Sequence, residues 1–505
     1  MSVVQSPLFE PVLWHDEGFR ILDETQVPEK LVYIEVAEVA QALDAVREMK
    51  TRAYGQVLTF LYSNALVAQQ YQGNDPVPLR ARLTQLTQQF CDVRPTFDFR
   101  GLGSFVAEFF DKLPDNGAVG AAIARRAREF GGEITRARSA RAKRTAAILA
   151  DPARVLTHCN ISGELVAVAA YCKQLGKDLS VIATETRPYL QGARLTAWEL
   201  AQAGVKVSLI PDCAVGQVMA QGEVNAVVVG ADRVAQNGDV INKVGTYAIA
   251  RMAKVYGVPF HALVQDPRSL ARGADVAIEE RSGEELLIYH GRSLVAGEHA
   301  DLKVRYPAFD LTPAEFVTNY VGLDGLYTAE AFRRQYQVDA TVDARVSRAN
   351  AKYLLLYGVP PPSQYSFLLS ALKAERAESL LVPEMRPELW GARVVVAELL
   401  KRKAPTTVIA DNMMGTLFAQ GEIGKLCFFY DSLVAAGAQG ICGSLLAVQL
   451  ARLHGVPIEL FSGDCHKEST TDSDVTTFLG EPICPAGVTV RAVGSEVVPW
   501  ALLKN

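Results

Sequence analysis

The sequence predicts an α/β protein in which a helical N-terminal domain is followed by two tandem Rossmann-like domains, each built on a parallel sheet. Three observations predict it. Residues 1 to 150 carry long stretches with helical apolar spacing, such as EVAEVAQALDAVREM (35 to 49) and YSNALVAQQY (62 to 71). From Arg154 onward, short β-branched runs alternate with amphipathic segments. A segment of that second region also returns later in the chain with its polar residues in place.

The β-branched runs are RVLTHC, LSVIATE, VKVSLIPD, VNAVVVGAD and VPFHALV, and between them lie GELVAVAAYCKQLG, GARLTAWELAQAG and NKVGTYAIARMAKVYG. Apolar runs suited to burial on both faces, each followed by a helix, imply a parallel sheet with right-handed crossovers. Ligands of such a sheet sit beyond the carboxyl ends of its strands.

The repeat sets the domain count. ETRPYLQGARLTAWEL (185 to 200) returns as EMRPELWGARVVVAEL (384 to 399) with nine of sixteen positions identical. The register holds from Asp212 to Asp411, from AQGE at 220 to AQGE at 419, and from Asp232 to Asp431; after a one-residue slip GVP at 257 meets GVP at 455. The expected domains are residues 1 to 150 (helical), 151 to 327 (catalytic Rossmann-like), a linker at 328 to 350, and 351 to 505 (a degenerate copy). Tandem copies of one fold commonly pack about a pseudo-twofold axis.

Composition narrows the function. The 505 residues are 49% hydrophobic and 21% charged, as in an ordinary globular protein, and the net charge of -5 removes any global attraction to nucleic acid. The basic run at 125 to 144 has almost no aromatic interleaving and reads as a solvated helix face. The longest apolar stretches, such as VNAVVVGA, fall short of the roughly 18 residues a membrane span needs. The N-terminus has no basic segment leading into an apolar core, so no signal peptide is expected. Eight cysteines at irregular spacing, with no CxxC pair, read as reduced thiols in a cytoplasmic protein. Asp464, Cys465 and His466 lack further ligands, so no metal is expected.

Chemistry concentrates at the predicted strand ends of the first copy. Cys159 closes RVLTHC where the next helix is expected, a position that favours a thiolate, although a lone cysteine is commonly structural. Asp232 follows an apolar run, where burial would keep a carboxyl group protonated and suit it as a general acid; helix capping is the alternative. Asn242 and Lys243 are expected at a helix start, suited either to oxygen ligands or to capping. Gln191 and Arg194 could line the same cleft.

THCN (157 to 160), ETRPYLQGARLTAWEL, VVVGADRVAQNGD, NKVGTY and YPAFDLTPAEF (306 to 316) resemble the 5-methylthioribose-1-phosphate isomerase family of methionine salvage, over about residues 30 to 325. The wider superfamily includes ribose-1,5-bisphosphate isomerase and the non-enzymatic regulatory subunits of the guanine-nucleotide exchange factor for translation initiation. The resemblance implies an aldose-ketose isomerase acting on a small-molecule sugar phosphate, without cofactor or metal. Cys159 and Asp232 correspond to its catalytic pair. Arg52, Ala53, Arg94, Gln191, Asn242 and Lys243 match substrate-binding positions.

Three departures stand out. TRAYGQV replaces the family's Arg-Gly-Ala-Pro-Ala-Ile-Gly loop, keeping Arg52 but placing the bulky Tyr54 where a small residue admits a ligand. Glu164 stands where the family has small residues, so its charge would either raise the Cys159 pKa or contact substrate. The third is the second copy itself, with Gly358 for Cys159, Trp390 for Gln191, and Ile441 and Cys442 for Asn242 and Lys243; only Asp431 is kept. Because family members pair through this domain, the expected assembly is a homo-oligomer or an internal pseudo-dimer.

Overall fold

The computed structural model describes residues 6–15, 18–95, 97–113, 118–297, 302–336, 351–464 and 470–504. The chain divides into two compact units. The first holds residues 1–148, 161–176 and 322–325, and the second holds 149–160, 177–321 and 326–505.

The first unit opens with a three-stranded antiparallel sheet, β1 (Val12–His15), β2 (Gly18–Leu22) and β3 (Tyr33–Val36). The helices Val39–Arg47, Tyr54–Gln69, Pro76–Val93, Phe99–Glu108 and Val119–Ile148 follow. Two starts are fixed by aspartate caps: Asp75 accepts from Val77 N at 2.9 Å ahead of Pro76, and Asp98 accepts from Gly101 N at 3.0 Å. Phe60, Phe90 and Phe99 pack together in edge-on and tilted arrangements, fully buried, with centroids 5.0 to 5.6 Å apart. Each such ring stabilises the fold by roughly 1.5–3 kcal/mol.

The helix Glu164–Gln174 clusters with this unit, and Glu164 is fully engaged there. Arg138 Nε donates to its Oε1 and Arg141 Nε to its Oε2, both at 2.8 Å, with all three residues buried. The two arginines hold the Glu164 carboxyl below its ordinary pKa against the opposing effect of burial. Its charge is thus spent on two guanidinium groups, which corrects the expectation that it tunes the thiol or meets substrate.

In the second unit all five apolar runs are strands: β4 (Ala153–Thr157), β5 (Leu179–Thr184), β6 (Lys206–Ile210), β7 (Ala226–Gly230) and, after the short β8 (Arg233–Val234) and β9 (Val240–Lys243), β10 (Phe260–Leu263). They pair in parallel in the order β10-β7-β4-β5-β6. This is the doubly wound order, and its switch point lies between β4 and β7.

The second copy repeats that order with Ile458–Ser462, Ile423–Tyr430, Tyr353–Tyr357, Ser379–Pro383 and Thr406–Ile409. One continuous apolar core spans both copies. The copies also trade strands. Lys303–Val304, in the loops of the first, pairs in parallel with Thr406–Ile409 of the second, while Thr489–Val490, in the loops of the second, pairs in parallel with β6.

Of the joining segment expected at 328 to 350, residues 329 to 335 form the helix Ala329–Gln335, and residues 337–350 lie outside the described residues, as do Cys465 and His466. Among the described residues no helix is long and apolar enough to cross a membrane, and no group of three His, Cys, Asp or Glu is placed to hold a metal.

Candidate functional site

Because β4 and β7 are hydrogen-bonded neighbours, with Leu156 opposite Val227, the segments leaving their carboxyl ends start side by side. Cys159 is in one and Asp232 in the other.

Cys159 is half-buried and in the left-handed region at φ 64°. A non-glycine residue keeps that conformation only where its surroundings fix it. Here its N–H donates to Thr186 Oγ1 at 2.8 Å and its carbonyl accepts from Thr196 Oγ1 at 2.6 Å. The following helix begins only at Glu164, so Cys159 is outside its first turn, contrary to expectation. Two threonine hydroxyls, rather than a helix cap, define its backbone.

His158 lies directly beneath. Its Nε2 is 2.8 Å from the Val244 carbonyl and its Nδ1 is 2.7 Å from Thr184 Oγ1, so Nε2 carries the proton and Nδ1 accepts from the threonine. Burial pushes its pKa down to about 4, with Lys243 adding to the effect. The neutral ring packs against Gly245 (φ +109°), where a Cβ would meet it at 2.9 Å.

Asp232 differs from expectation. It is exposed, and β8 rather than a helix follows it. Its N–H donates to the Ile241 carbonyl at 3.0 Å and its carbonyl accepts from Gln265 Nε2 at 2.6 Å, so the backbone is tied on both sides. The turn out of β7 into β8 carries it away from the apolar strand that suggested burial.

Asn242 and Lys243 end β9, not a helix start; the helix Thr246–Tyr256 begins after Gly245. Both are buried, and Asn242 Nδ2 donates to Thr246 Oγ1 at 2.9 Å. The Lys243 ammonium lies 4.7 Å from the Phe309 ring centre and 5.7 Å from that of Tyr189. The two aromatic faces offset part of the cost of burying the cation. Gln191, 5% exposed, ends the loop after β5, and its Oε1 has no hydrogen-bond partner among the described residues, so it offers an acceptor to a hydroxyl.

Asp310, opposite Asn242 on the strand Phe309–Thr312, has no sequence signal beyond its place in YPAFDL. Its Oδ2 accepts from Gly245 N at 2.7 Å and Tyr247 N at 3.1 Å, and burial pushes its pKa up to about 7. Glu496 of the second copy does the same at Leu445 N (2.8 Å) and Gly443 N, also at about 7. A role shared by both copies is architectural.

In the second copy Gly358 has φ +92°, and a Cβ there would lie 2.1 Å from the Phe429 carbonyl oxygen, so no cysteine fits.

Arg52, Ala53 and Arg94 belong to the first unit. Ala53 is strained (φ 41°, ψ -112°) between Arg52, whose N–H donates to Glu24 Oε1 at 2.9 Å, and Tyr54. The bulky Tyr54 turns into its own unit, its hydroxyl 2.7 Å from Thr135 Oγ1 and its ring under the Arg138 guanidinium at 3.9 Å. Arg94 caps Pro76–Val93 and touches Met49 Sδ.

The doubly wound sheet is present twice, with a left-handed cysteine following the central strand of the first copy and a left-handed glycine, Gly358, in the second. The chain belongs to the Initiation factor 2 subunit family, whose model matches residues 53–328 and again 351–458. It is 37% identical over 346 residues to the methylthioribose-1-phosphate isomerase of Desulforudis audaxviator (strain MP104C), covering 64% of this chain and 97% of that one. Among solved structures it resembles 5-methylthioribose 1-phosphate isomerase from Pyrococcus horikoshii OT3, with a TM-score of 0.57 at 27% identity, covering 67% of this chain and 98% of that one. The delta subunit of translation initiation factor eIF-2B from A. fulgidus gives a TM-score of 0.54 at 32% identity, covering 63% and 95%.

Proposed function

We propose that the protein is an aldose-ketose isomerase converting 5-methylthioribose 1-phosphate, or a related 5-substituted ribose 1-phosphate, into the ribulose 1-phosphate. What supports this reading is that Cys159 and Asp232 follow the two neighbouring strands that flank the switch point, in the one copy that keeps Gln191, Asn242 and Lys243. The isomerase names of the relatives agree with it.

Phosphate on O1 blocks spontaneous ring opening. An acid must protonate the ring oxygen as its bond to C1 breaks, the role assigned to Asp232. Hydrogen then passes from C2 to C1 and the C2 hydroxyl proton returns to the Asp232 carboxylate, leaving C2 as the ketone and C1 as a methylene bearing phosphate. The C2 hydrogen travels either as a proton, with Cys159 as base through an enol phosphate, or as a hydride to the C1 cation, with Cys159 stabilising the charge. A sugar covering the exposed Asp232 would desolvate its carboxyl group and raise its pKa toward that of a working acid. Gln191 and Asn242 are assigned to hydroxyls and Lys243 to the anion, while Arg52, Ala53 and Arg94 are substrate contacts on the family resemblance alone. A cytoplasmic setting belongs to the same proposal.

The exposure of Asp232 and the likeness to an initiation-factor subunit favour one other reading, a catalytically silent regulatory protein. Incubation with 5-methylthioribose 1-phosphate, ribose 1,5-bisphosphate and ribose 1-phosphate, with ketose formation followed by NMR, separates them. Turnover that falls at least ~100-fold in both Cys159→Ser and Asp232→Asn supports the isomerase. Silence on every sugar supports the regulator.

A further inference from the structure

The second copy reaches the segment that carries Cys159. Asp212, buried at the end of β6, accepts from Thr186 N through Oδ1 and from Arg187 N through Oδ2, each at 2.7 Å. A third donor comes from the other copy: Asn412 Nδ2 reaches Asp212 Oδ2 at 2.9 Å and the Arg187 carbonyl at 2.9 Å. The Arg187 carbonyl can only accept, which fixes the orientation of the amide. Thr186, held at φ 61° by this carboxylate, presents the Oγ1 that accepts the Cys159 N–H at 2.8 Å. A continuous path of hydrogen bonds runs from Asn412 through Asp212 and Thr186 to Cys159.

The pseudo-twofold supplies a control. In the reverse direction Asp411 accepts from Met385 N at 3.0 Å and Arg386 N at 2.8 Å, so the backbone frame is kept. The three polar members are not. Cys213 stands for Asn412, its thiol donating to the Arg386 carbonyl at 3.4 Å; Met385 stands for Thr186; and Gly358 stands for Cys159. If the path only held the copies together, its loss on one side would have no reason to coincide with loss of the thiol.

We propose that Asn412, contributed by the non-catalytic copy, is a positioning residue for Cys159, acting through Asp212 and Thr186. This rests on the isomerase reading for its kinetic consequence, but its geometric content is separate: removing Asn412 changes the environment of the Cys159 thiol whatever the substrate.

The test uses the full chain and two readouts. The first is initial rates on 5-methylthioribose 1-phosphate. Asn412→Leu and Thr186→Val are expected to lower kcat about 10-fold or more with KM changed less than about 2-fold, as for interactions expressed in the transition state, and Thr186→Ser to recover most of what Thr186→Val loses. Asn412→Asp sets two carboxylates together, and the pair can keep its hydrogen bond only by sharing a proton, so its activity should rise as pH falls. The other groups facing Asp212 are His158, whose Nδ1 is 4.0 Å away, and Glu185 and Glu384, whose charges add to burial in raising the Asp212 pKa to about 7, so the variant is compared with the wild-type profile over the same pH range.

The second readout is the pH dependence of Cys159 alkylation by iodoacetamide, read on the peptide by mass spectrometry, with thermal unfolding to verify folding. A folded Asn412→Leu protein should show an altered Cys159 rate or apparent pKa. Wild-type kcat and alkylation in folded Asn412→Leu would overturn the proposal, as would an unshifted pH profile in Asn412→Asp. If the wild-type chain turns over no sugar, the isomerase reading fails, and alkylation alone decides the positioning role.

Discussion

The guanidinium of Arg187 forks onto the Glu384 carboxylate, Nε at 2.9 and 3.1 Å and Nη2 at 2.9 Å, with both side chains out of contact with water. Across the pseudo-twofold, Arg386 grips Glu185 in the same way, Nε at 3.0 and 3.1 Å and Nη2 at 2.8 Å. Each pair joins the two copies at its centre.

Breaking one fork leaves a buried ion without a counter-charge. Glu384→Gln or Arg187→Met should each cost about 3–5 kcal/mol in urea denaturation of the full chain. The double variant Arg187→Met with Glu384→Met should be more stable than the less stable single, because both desolvation costs vanish together. A double variant no better than the worse single would show that the pair is not the source of the loss.

The face of the first copy that carries Arg187 is covered by the second copy, which acts as an internal partner. Sedimentation should find no dimer joined through that face, and a single chain of 54.8 kDa is the expected species if no other surface associates. Cross-links between two chains at residues beside Arg187 would refute this.

The second copy cannot be re-armed by restoring its thiol. Gly358→Cys drives a Cβ to 2.1 Å from the Phe429 carbonyl oxygen, in a backbone conformation side chains avoid. Gly358→Ala and Gly358→Cys should both lose more than about 2 kcal/mol, with no second reactive site gained, as read by unfolding and by the number of alkylated thiols. A stable, reactive cysteine at 358 would contradict the packing described.

Glu496 offers a pH test away from the proposed chemistry. Burial raises its folded pKa to about 7, above the value in an unfolded chain, so its contribution is fully present below the unfolded pKa of about 4.3 and is lost as pH rises toward 7. Glu496→Gln keeps the oxygen that accepts from Leu445 N and abolishes the titration. The variant should gain on wild type as pH rises from 5 to 8, by about 1–3 kcal/mol, as measured by urea unfolding at each pH. A pH-independent difference would place the titration elsewhere.

Much of the fold was legible because burial on both faces leaves a plain mark: each of the five apolar runs is a strand, and the repeat maps copy on copy. The opening sheet of β1, β2 and β3 was not, since four or five residues are too few for alternation to stand out beside long helices. The candidate residues lie near strand ends, but their local settings differ from those the sequence suggested. Cys159 is held by Thr186 and Thr196 rather than a helix dipole, Asn242 and Lys243 finish a strand, and Asp232 is exposed. Thr186, His158 and Asn412 were missed because ordinary polar residues gain meaning only through partners, and the path to Asn412 spans 200 positions between Asp212 and Asn412.

The traded strands bear on how such a chain can evolve. The edge of β6 is completed by Thr489–Val490, with Ser208 and Thr489 separated by 281 positions yet 2.7 Å apart. Deleting the rear half would strip a border strand from the front one and uncover its central apolar layer. A duplicate so entangled is constrained in its shape by the border strand and the apolar cover it lends to its twin.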